Sequence, residues 1–170
     1  DLAGAVLKTA GNQNNLVGLP LTLLRMTGEE SLAILEMGMN QPGEIARLTE
    51  IARPDVGVIT NIGAAHLEGV GSVDGVAAAK AELFGGMSES GTICVNLDDE
   101  KVVRVASRFR GRRVEFGRGG EIRATDVVDR GLAGLSMQLH VGDAARTVEL
   151  AFAGTHNVHN ALAAAALGQS

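Results

Sequence analysis

The sequence predicts an α/β fold in which a parallel sheet is flanked by helices, with a small antiparallel sheet near the C-terminal end. Three observations predict it. Short apolar runs alternate with helix-spaced segments as far as about Phe109, the pattern of a parallel sheet with right-handed crossovers. The run Asp55 to Thr60 carries Val56, Val58 and Ile59, as a buried parallel strand does. From about Arg112 the segments shorten and are joined by Gly- and Asp-bearing turns.

The elements follow in order. Ala5 to Thr9 reads as a strand closed by Ala10 and Gly11, and Asn12 to Asn15 as a turn, with four consecutive amides that could also ligate a polar substrate. Leu21 to Met26 reads as a short helix and Leu32 to Glu36 as the second strand. Gln41-Pro42-Gly43-Glu44 opens a helix that Pro54 ends. After the strand at Asp55 to Thr60, Ser72 can cap a helix bearing Val76, Ala77, Lys80, Leu83 and Phe84 at helical spacing. Thr92 to Asn96 is a further strand. Asp98-Asp99-Glu100 heads a helix to about Phe109, with Arg104 and Arg108 later, as the helix dipole favours.

The antiparallel part is expected over residues 112–153. Its strands are Arg113 to Phe116, Ile122 to Val128, Leu132 to Val141 and Thr147 to Phe152. Leu135, Met137, Leu139 and Val141 alternate with Ser136, Gln138 and His140, which predicts a half-exposed strand. Asn157 to Leu167 is an alanine-rich helix behind the motif GTHNVHN.

Bulk properties narrow the function classes. The 170 residues fit one domain and can bury a core, built from Val, Leu, Ile and Ala because Trp and Tyr are absent. The net charge of −5 argues against a nucleic-acid partner. The basic cluster Arg108, Arg110, Arg112 and Arg113 reads as a solvated turn. Cys94 sits in an apolar run, reads as a small core residue, and is compatible with a reducing cytoplasm. No apolar run approaches the ~20 residues of a membrane span, and the start DLAGAVLKTAG carries no signal-peptide pattern. Without an initiator Met, the chain is expected to be a fragment.

Chemistry is expected beyond the carboxyl ends of the strands. Glu36 ends one strand; a carboxylate there is either paired or metal-bound, or is an exposed turn residue. His66 follows the turn after the central strand and reads either as structural or as a ligand. Together, carboxylate and imidazole at neighbouring strand ends suit a divalent cation near phosphate. Lys80 sits among alanines, where partial burial would make its amine reactive. His156-x-x-His159 has metal-ligand spacing but is a single pair. The run GVGSVDG has the wrong spacing for a dinucleotide fingerprint, and no GxxxxGK[ST] loop occurs. The residues by themselves reach an α/β domain with a phosphate–metal site, and stop short of the reaction.

Five segments carry a resemblance. They are TAGNQNNLVGLPLTLL (Thr9 to Leu24), EMGMNQPGEI (Glu36 to Ile45), NIGAAHLEGVGS (Asn61 to Ser72), VAAAKAELF (Val76 to Phe84) and GTHNVHNALAAAAL (Gly154 to Leu167). In this order they resemble the central, P-loop NTPase-like domain of the Mur ligase family. The first two favour the branch that joins D-alanyl-D-alanine to UDP-N-acetylmuramoyl-tripeptide. The resemblance implies an ATP-dependent amide ligase of peptidoglycan precursor synthesis, working in the cytoplasm through an acyl phosphate. It implies one Mg²⁺ held with the help of Glu36, a second with the help of His66, and a carbamylated lysine at Lys80. Asn157 and Asn160 would approach the adenine of ATP, with His156 in the same cofactor-binding set. Asn12 and Asn15 would lie near the muramoyl substrate.

The family's phosphate loop would lie just upstream of Asp1, so residues 1–170 are expected to be an N-terminally truncated central domain. Its partners would be an N-terminal UDP-binding domain and a C-terminal domain of the same protein, and the isolated chain is expected to be inactive. The alternatives are a sister ligase, making polyglutamate or another murein peptide bond, and a non-catalytic domain that retains the fold.

Overall fold

Backbone pairing divides the strands into a two-stranded sheet and a six-stranded sheet. The computed structural model describes residues 4–64 and 67–170. It resolves two units, Asp1–Pro54 with Gly63–Met87, and Asp55–Ile62 with Ser88–Ser170.

In the first unit, β1 (Ala5–Lys8) and β2 (Glu30–Ile34) pair in parallel, with Leu7 opposite Ala33 and Lys8 opposite Ile34. Between them lies α1 (Gly18–Leu23), which starts earlier than the Leu21 expected from sequence. The cause is local. Asn15 Oδ1 accepts from the N–H groups of Val17 and Gly18, and Pro20 suits a first turn. Strand β2 ends at Ile34, so Glu36 lies just beyond it, where its N–H donates to Thr9 Oγ1 at 2.9 Å.

Helix α2 (Glu44–Ala52) packs on α4 (Val73–Gly86). Ser72 caps α4 as expected, its Oγ accepting from the Gly75 N–H at 3.1 Å. Leu48 of α2 and Val76 of α4 are fully buried, at 0% exposure. Each such side chain contributes about 1.5–3 kcal/mol by leaving water. The short α3 (Leu67–Val70) precedes α4.

In the second unit, β3 (Val56–Ile59), β4 (Thr92–Asn96) and β5 (Arg112–Phe116) are parallel neighbours. Antiparallel pairing therefore begins later than about Arg112. Strand direction depends on a distant partner, and the apolar pattern of Arg113 to Phe116 is the same for either direction. A single parallel pair, Phe116 with Ile122, joins β5 to β6 (Ile122–Asp129). Strands β6, β7 (Leu135–Val141) and β8 (Ala144–Leu150) then run antiparallel.

Two expectations in this region are corrected. Leu132 lies in a 3-10 turn, Gly131–Ala133, and not in β7. Gly134 follows at φ +96°, and a Cβ there would sit 2.0 Å from the Leu150 carbonyl oxygen, so the backbones meet where only glycine fits. Strand β7 is also less exposed than its alternation implies. Ser136 is buried because Arg130 covers it, donating to Ser136 Oγ at 3.2 Å.

Helix α5 (Glu100–Ala106) follows β4, and α6 (His156–Gln169) closes the chain. Val158, Leu162, Ala163 and Ala166 of α6 pack on Cys94, Val114, Phe116, Ile122, Leu135 and Met137 of the sheet. The small alanine side chains let α6 lie close to the strands, which suits a core with few aromatics. Among the described residues, no helix is long and apolar enough to cross a membrane.

Candidate nucleotide site

Within the second unit, the carboxyl ends of β3 and β4 and the first turn of α6 enclose a cleft of about 280 Å³. This is the end of a parallel sheet at which ligands bind in open α/β folds. Thr60 and Asn61 come from the exit of β3, Asn96, Asp98 and Asp99 from the exit of β4, and His156, His159 and Asn160 from α6.

Hydrogen bonds tie the two strand exits together. Buried Asn96 donates through Nδ2 to the Thr60 carbonyl at 2.8 Å, while its Oδ1 accepts from the Asp98 N–H at 3.0 Å. Asp99 caps α5, its Oδ1 accepting from Lys101 and Val102 N–H groups at 2.9 and 3.2 Å. Its other oxygen accepts from the Ile62 N–H at 2.7 Å. One carboxylate thus starts a helix and anchors the loop leaving β3.

Asp98 joins three segments. Its Oδ1 accepts from the backbone N–H and the Nε of Arg118, both at 3.1 Å. Its Oδ2 lies 3.1 Å from His159 Nε2. Gly117 makes room for this, since a Cβ there would stand 2.8 Å from Asp98 Oδ2 at a φ of +104°. Partial burial pushes the Asp98 carboxyl upward, but the hydrogen bonds from Arg118 and His159 outweigh it. The net result is a pKa below the usual 3.8.

Asn160 faces the cleft and donates to Asn157 Oδ1 at 3.2 Å, while Asn157 Nδ2 donates to the Ala153 carbonyl at 2.8 Å. Asn157 is therefore turned toward the loop before α6, and His156, His159 and Asn160 are the motif residues that line the cleft. The lining contains amides, imidazoles, carboxylates and a hydroxyl, but no lysine or arginine. Such a surface suits the neutral, hydrogen-bonding base of a nucleotide better than its phosphates.

The first unit carries the other sequence-derived candidates. Asn14 Nδ2 donates to Glu36 Oε1 at 2.7 Å, and the Gly38 N–H donates to the Asn14 carbonyl at 2.7 Å. Glu36 is exposed and offers a carboxylate as an oxygen ligand for a hard cation. Lys80 is half-buried on α4. Two residues on, Glu82 accepts from the Gly43 and Ala46 N–H groups at 2.7 and 3.0 Å, holding α4 to the start of α2. Asn12 is exposed in the loop after β1, and the side-chain oxygen of Asn15 is taken by the start of α1. His66 lies outside the described residues. Among the described residues, no group of three or more His, Cys, Asp or Glu could hold a metal ion. A Mg²⁺ site of one carboxylate completed by substrate phosphates and water needs no such group.

Sequence reasoning missed Asp98, Asp99, Asn96 and Asn14 as site residues. Asp98 and Asp99 stand just past a strand end, the same signal that singled out Glu36, but were read as the acidic head of a helix. Asn14 lies in the NQNN run, whose spacing favours a turn, and its contact with Glu36 joins two loops that sequence does not bring together.

The family description "Mur ligase middle domain" matches residues 1–168. The UDP-N-acetylmuramoyl-tripeptide–D-alanyl-D-alanine ligase of Escherichia coli K12 is 40% identical over 171 residues, covering 98% of this chain and 38% of the relative. A crystal structure of MurF from Acinetobacter baumannii superposes with a TM-score of 0.93 at 35% identity, over 98% of this chain and 37% of that one. MurF ligase from Thermotoga maritima, solved in complex with ADP, gives a TM-score of 0.87 at 30% identity, over 98% and 39%. The chain thus spans a little over a third of the length of these relatives. With a family match from its first residue to residue 168, the chain belongs to the Mur ligase middle-domain family.

Proposed function

We propose that the chain is the central part of an ATP-dependent amide ligase that adds D-alanyl-D-alanine to UDP-N-acetylmuramoyl-tripeptide in the cytoplasm. The observation that carries this reading is the TM-score of 0.93 to a MurF structure over 98% of the chain. The name of the Escherichia coli relative supplies the substrates, and the ADP in the Thermotoga maritima structure supplies the nucleotide class.

In this reading Asn160 and His156 hold the adenine in the cleft of the second unit, and Asn157 orients Asn160. Glu36, steadied by Asn14, offers an oxygen to Mg²⁺, with His66 helping at a second ion. When bound, Mg²⁺ supplies charge neutralisation at the transferring phosphoryl group. Lys80, half-buried on α4, loses a proton to become a neutral amine, which adds CO₂ and releases a second proton to give a carbamate, an oxygen ligand in place of a cation. Asn12 and Asn15 lie near the muramoyl substrate. The terminal carboxylate of the tripeptide accepts the γ-phosphoryl group and ADP leaves. The amine of the dipeptide then attacks the acyl carbon, phosphate departs, and the nitrogen loses its proton. An N-terminal UDP-binding domain and a C-terminal domain complete the protein, and residues 1–170 alone do not ligate.

The test is phosphate release by the full-length protein. The reading predicts release only when ATP, the UDP-tripeptide and D-alanyl-D-alanine are all present. Release that ignores the UDP-tripeptide refutes it.

A further inference from the structure

We propose that Asp98 and His159 form a positioning pair that sets the first turn of α6, and with it Asn160, against the nucleotide base. The proposal rests on the nucleotide reading of the cleft and assigns a role to residues outside the asparagine pair. Thr155, the N-cap of α6, makes no side-chain cap, so ordinary capping does not fix the first turn of the helix. The local bond from Asn157 Nδ2 to the Ala153 carbonyl is joined by a contact across 61 residues, between His159 Nε2 and Asp98 Oδ2. His159 immediately precedes Asn160, so the backbone bearing the base-facing amide is anchored one residue away.

The anchor is itself held. Asp98 has only 15% of its side chain exposed, and Asn96 and Arg118 both hydrogen-bond to it or to its backbone. The Arg118 side chain is 93% exposed, so its ion pair is weak on its own. Its backbone N–H to the same oxygen fixes the turn after β5 more firmly. Gly117 lets that turn approach, because any Cβ there would press on Asp98. Asp98 therefore ties the exits of β4 and β5 to α6 at the wall of the cleft. An anchor of this kind changes the affinity for nucleotide, and not only the melting temperature, because it pre-orders the binding face.

The experiment is calorimetric titration of the full-length protein with ADP, paired with thermal melting of each variant. His159→Ala and Asp98→Asn should each weaken ADP binding about tenfold, as for loss of one charge-assisted hydrogen bond. The double variant should be no weaker than either single one by more than about twofold, because the two residues act as one unit. His159→Gln keeps an N–H donor for Asp98 and should restore affinity to within about threefold of the parent. Asn160→Ala is the control for the nucleotide reading. If it weakens ADP binding while His159→Ala leaves it unchanged, the positioning pair is refuted. A lowered melting temperature with unchanged affinity refutes it equally, since the contact then only stabilises the fold. If Asn160→Ala also has no effect, the nucleotide reading of the cleft falls first. Half-exposed His159 carries the test should Asp98→Asn fold poorly.

Discussion

Asn14 holds Glu36: its side-chain amide donates to Oε1 at 2.7 Å across 22 residues of chain. Thr9 takes the Glu36 N–H, and Gly38 donates back to the Asn14 carbonyl. A carboxylate that would otherwise swing at the end of β2 is thereby given one orientation. Groups that orient a metal ligand typically matter to affinity by tenfold or more. On the proposal that Glu36 holds Mg²⁺, Asn14→Ala in the full-length protein should raise the Mg²⁺ concentration needed for half-maximal effect by about tenfold. Calorimetric titration of Mg²⁺ in the presence of ADP measures it, and an unchanged midpoint would remove Asn14 from the site.

Cys94 is wholly buried, and burial pushes its thiol up to about 11 from the usual 9.0. The group is neutral in the folded protein near neutral pH and should not react with a thiol reagent until the chain unfolds. Because the folded value is the higher one, its contribution to stability is complete below pH 9.0 and is lost as pH rises toward about 11. Reagent uptake with and without denaturant checks the first point, and alkaline melting curves the second.

Asp98 gives the opposite sign. Its folded pKa lies below 3.8, so its stabilising effect is present above that value and is lost as pH falls through the folded one. Asp98→Asn should flatten the acid limb of the stability curve below pH 3.8 and leave the limb above pH 9.0 as it was. Melting temperatures across pH give the comparison.

Gly134→Ala tests the 3-10 turn before β7. The substitution puts a Cβ 2.0 Å from the Leu150 carbonyl oxygen at a φ of +96°. Backbone strain of this kind costs about 1–3 kcal/mol, and the backbone collision adds to it. Urea denaturation should show the loss, and a variant as stable as the parent would contradict the turn.

The legible parts of the fold were those written in short stretches of chain. Strand β4 matches its apolar run Thr92 to Asn96 residue for residue, and Ser72 announces α4 by its side chain alone. The hairpin between β7 and β8 was less legible. Its two-residue turn, Gly142-Asp143, leads into Ala144-Ala145-Arg146, which lacks the β-branched residues that mark a strand, so β8 was expected to start at Thr147. The direction of β5 was invisible because it depends on pairing with β4. The candidate site divides in the same way. Glu36, Lys80, Asn157 and Asn160 stand out through their motifs. The contacts that orient the neighbouring groups, Asn14 with Glu36 and Asp98 with His159, span 22 and 61 residues and arise only on folding.

The proposed ligase function turns on which amine the full-length protein joins to the tripeptide. The most direct measurement offers the full-length protein ATP and UDP-N-acetylmuramoyl-tripeptide together with D-alanyl-D-alanine, D-glutamate, L-lysine and L-glutamate in equal amounts. Mass spectrometry then reads the product. The expected UDP-muramoyl product is extended by the D-alanyl-D-alanine dipeptide alone, with ADP and phosphate formed in step. Incorporation of a single amino acid in its place would contradict it and assign the chain to a sister ligase.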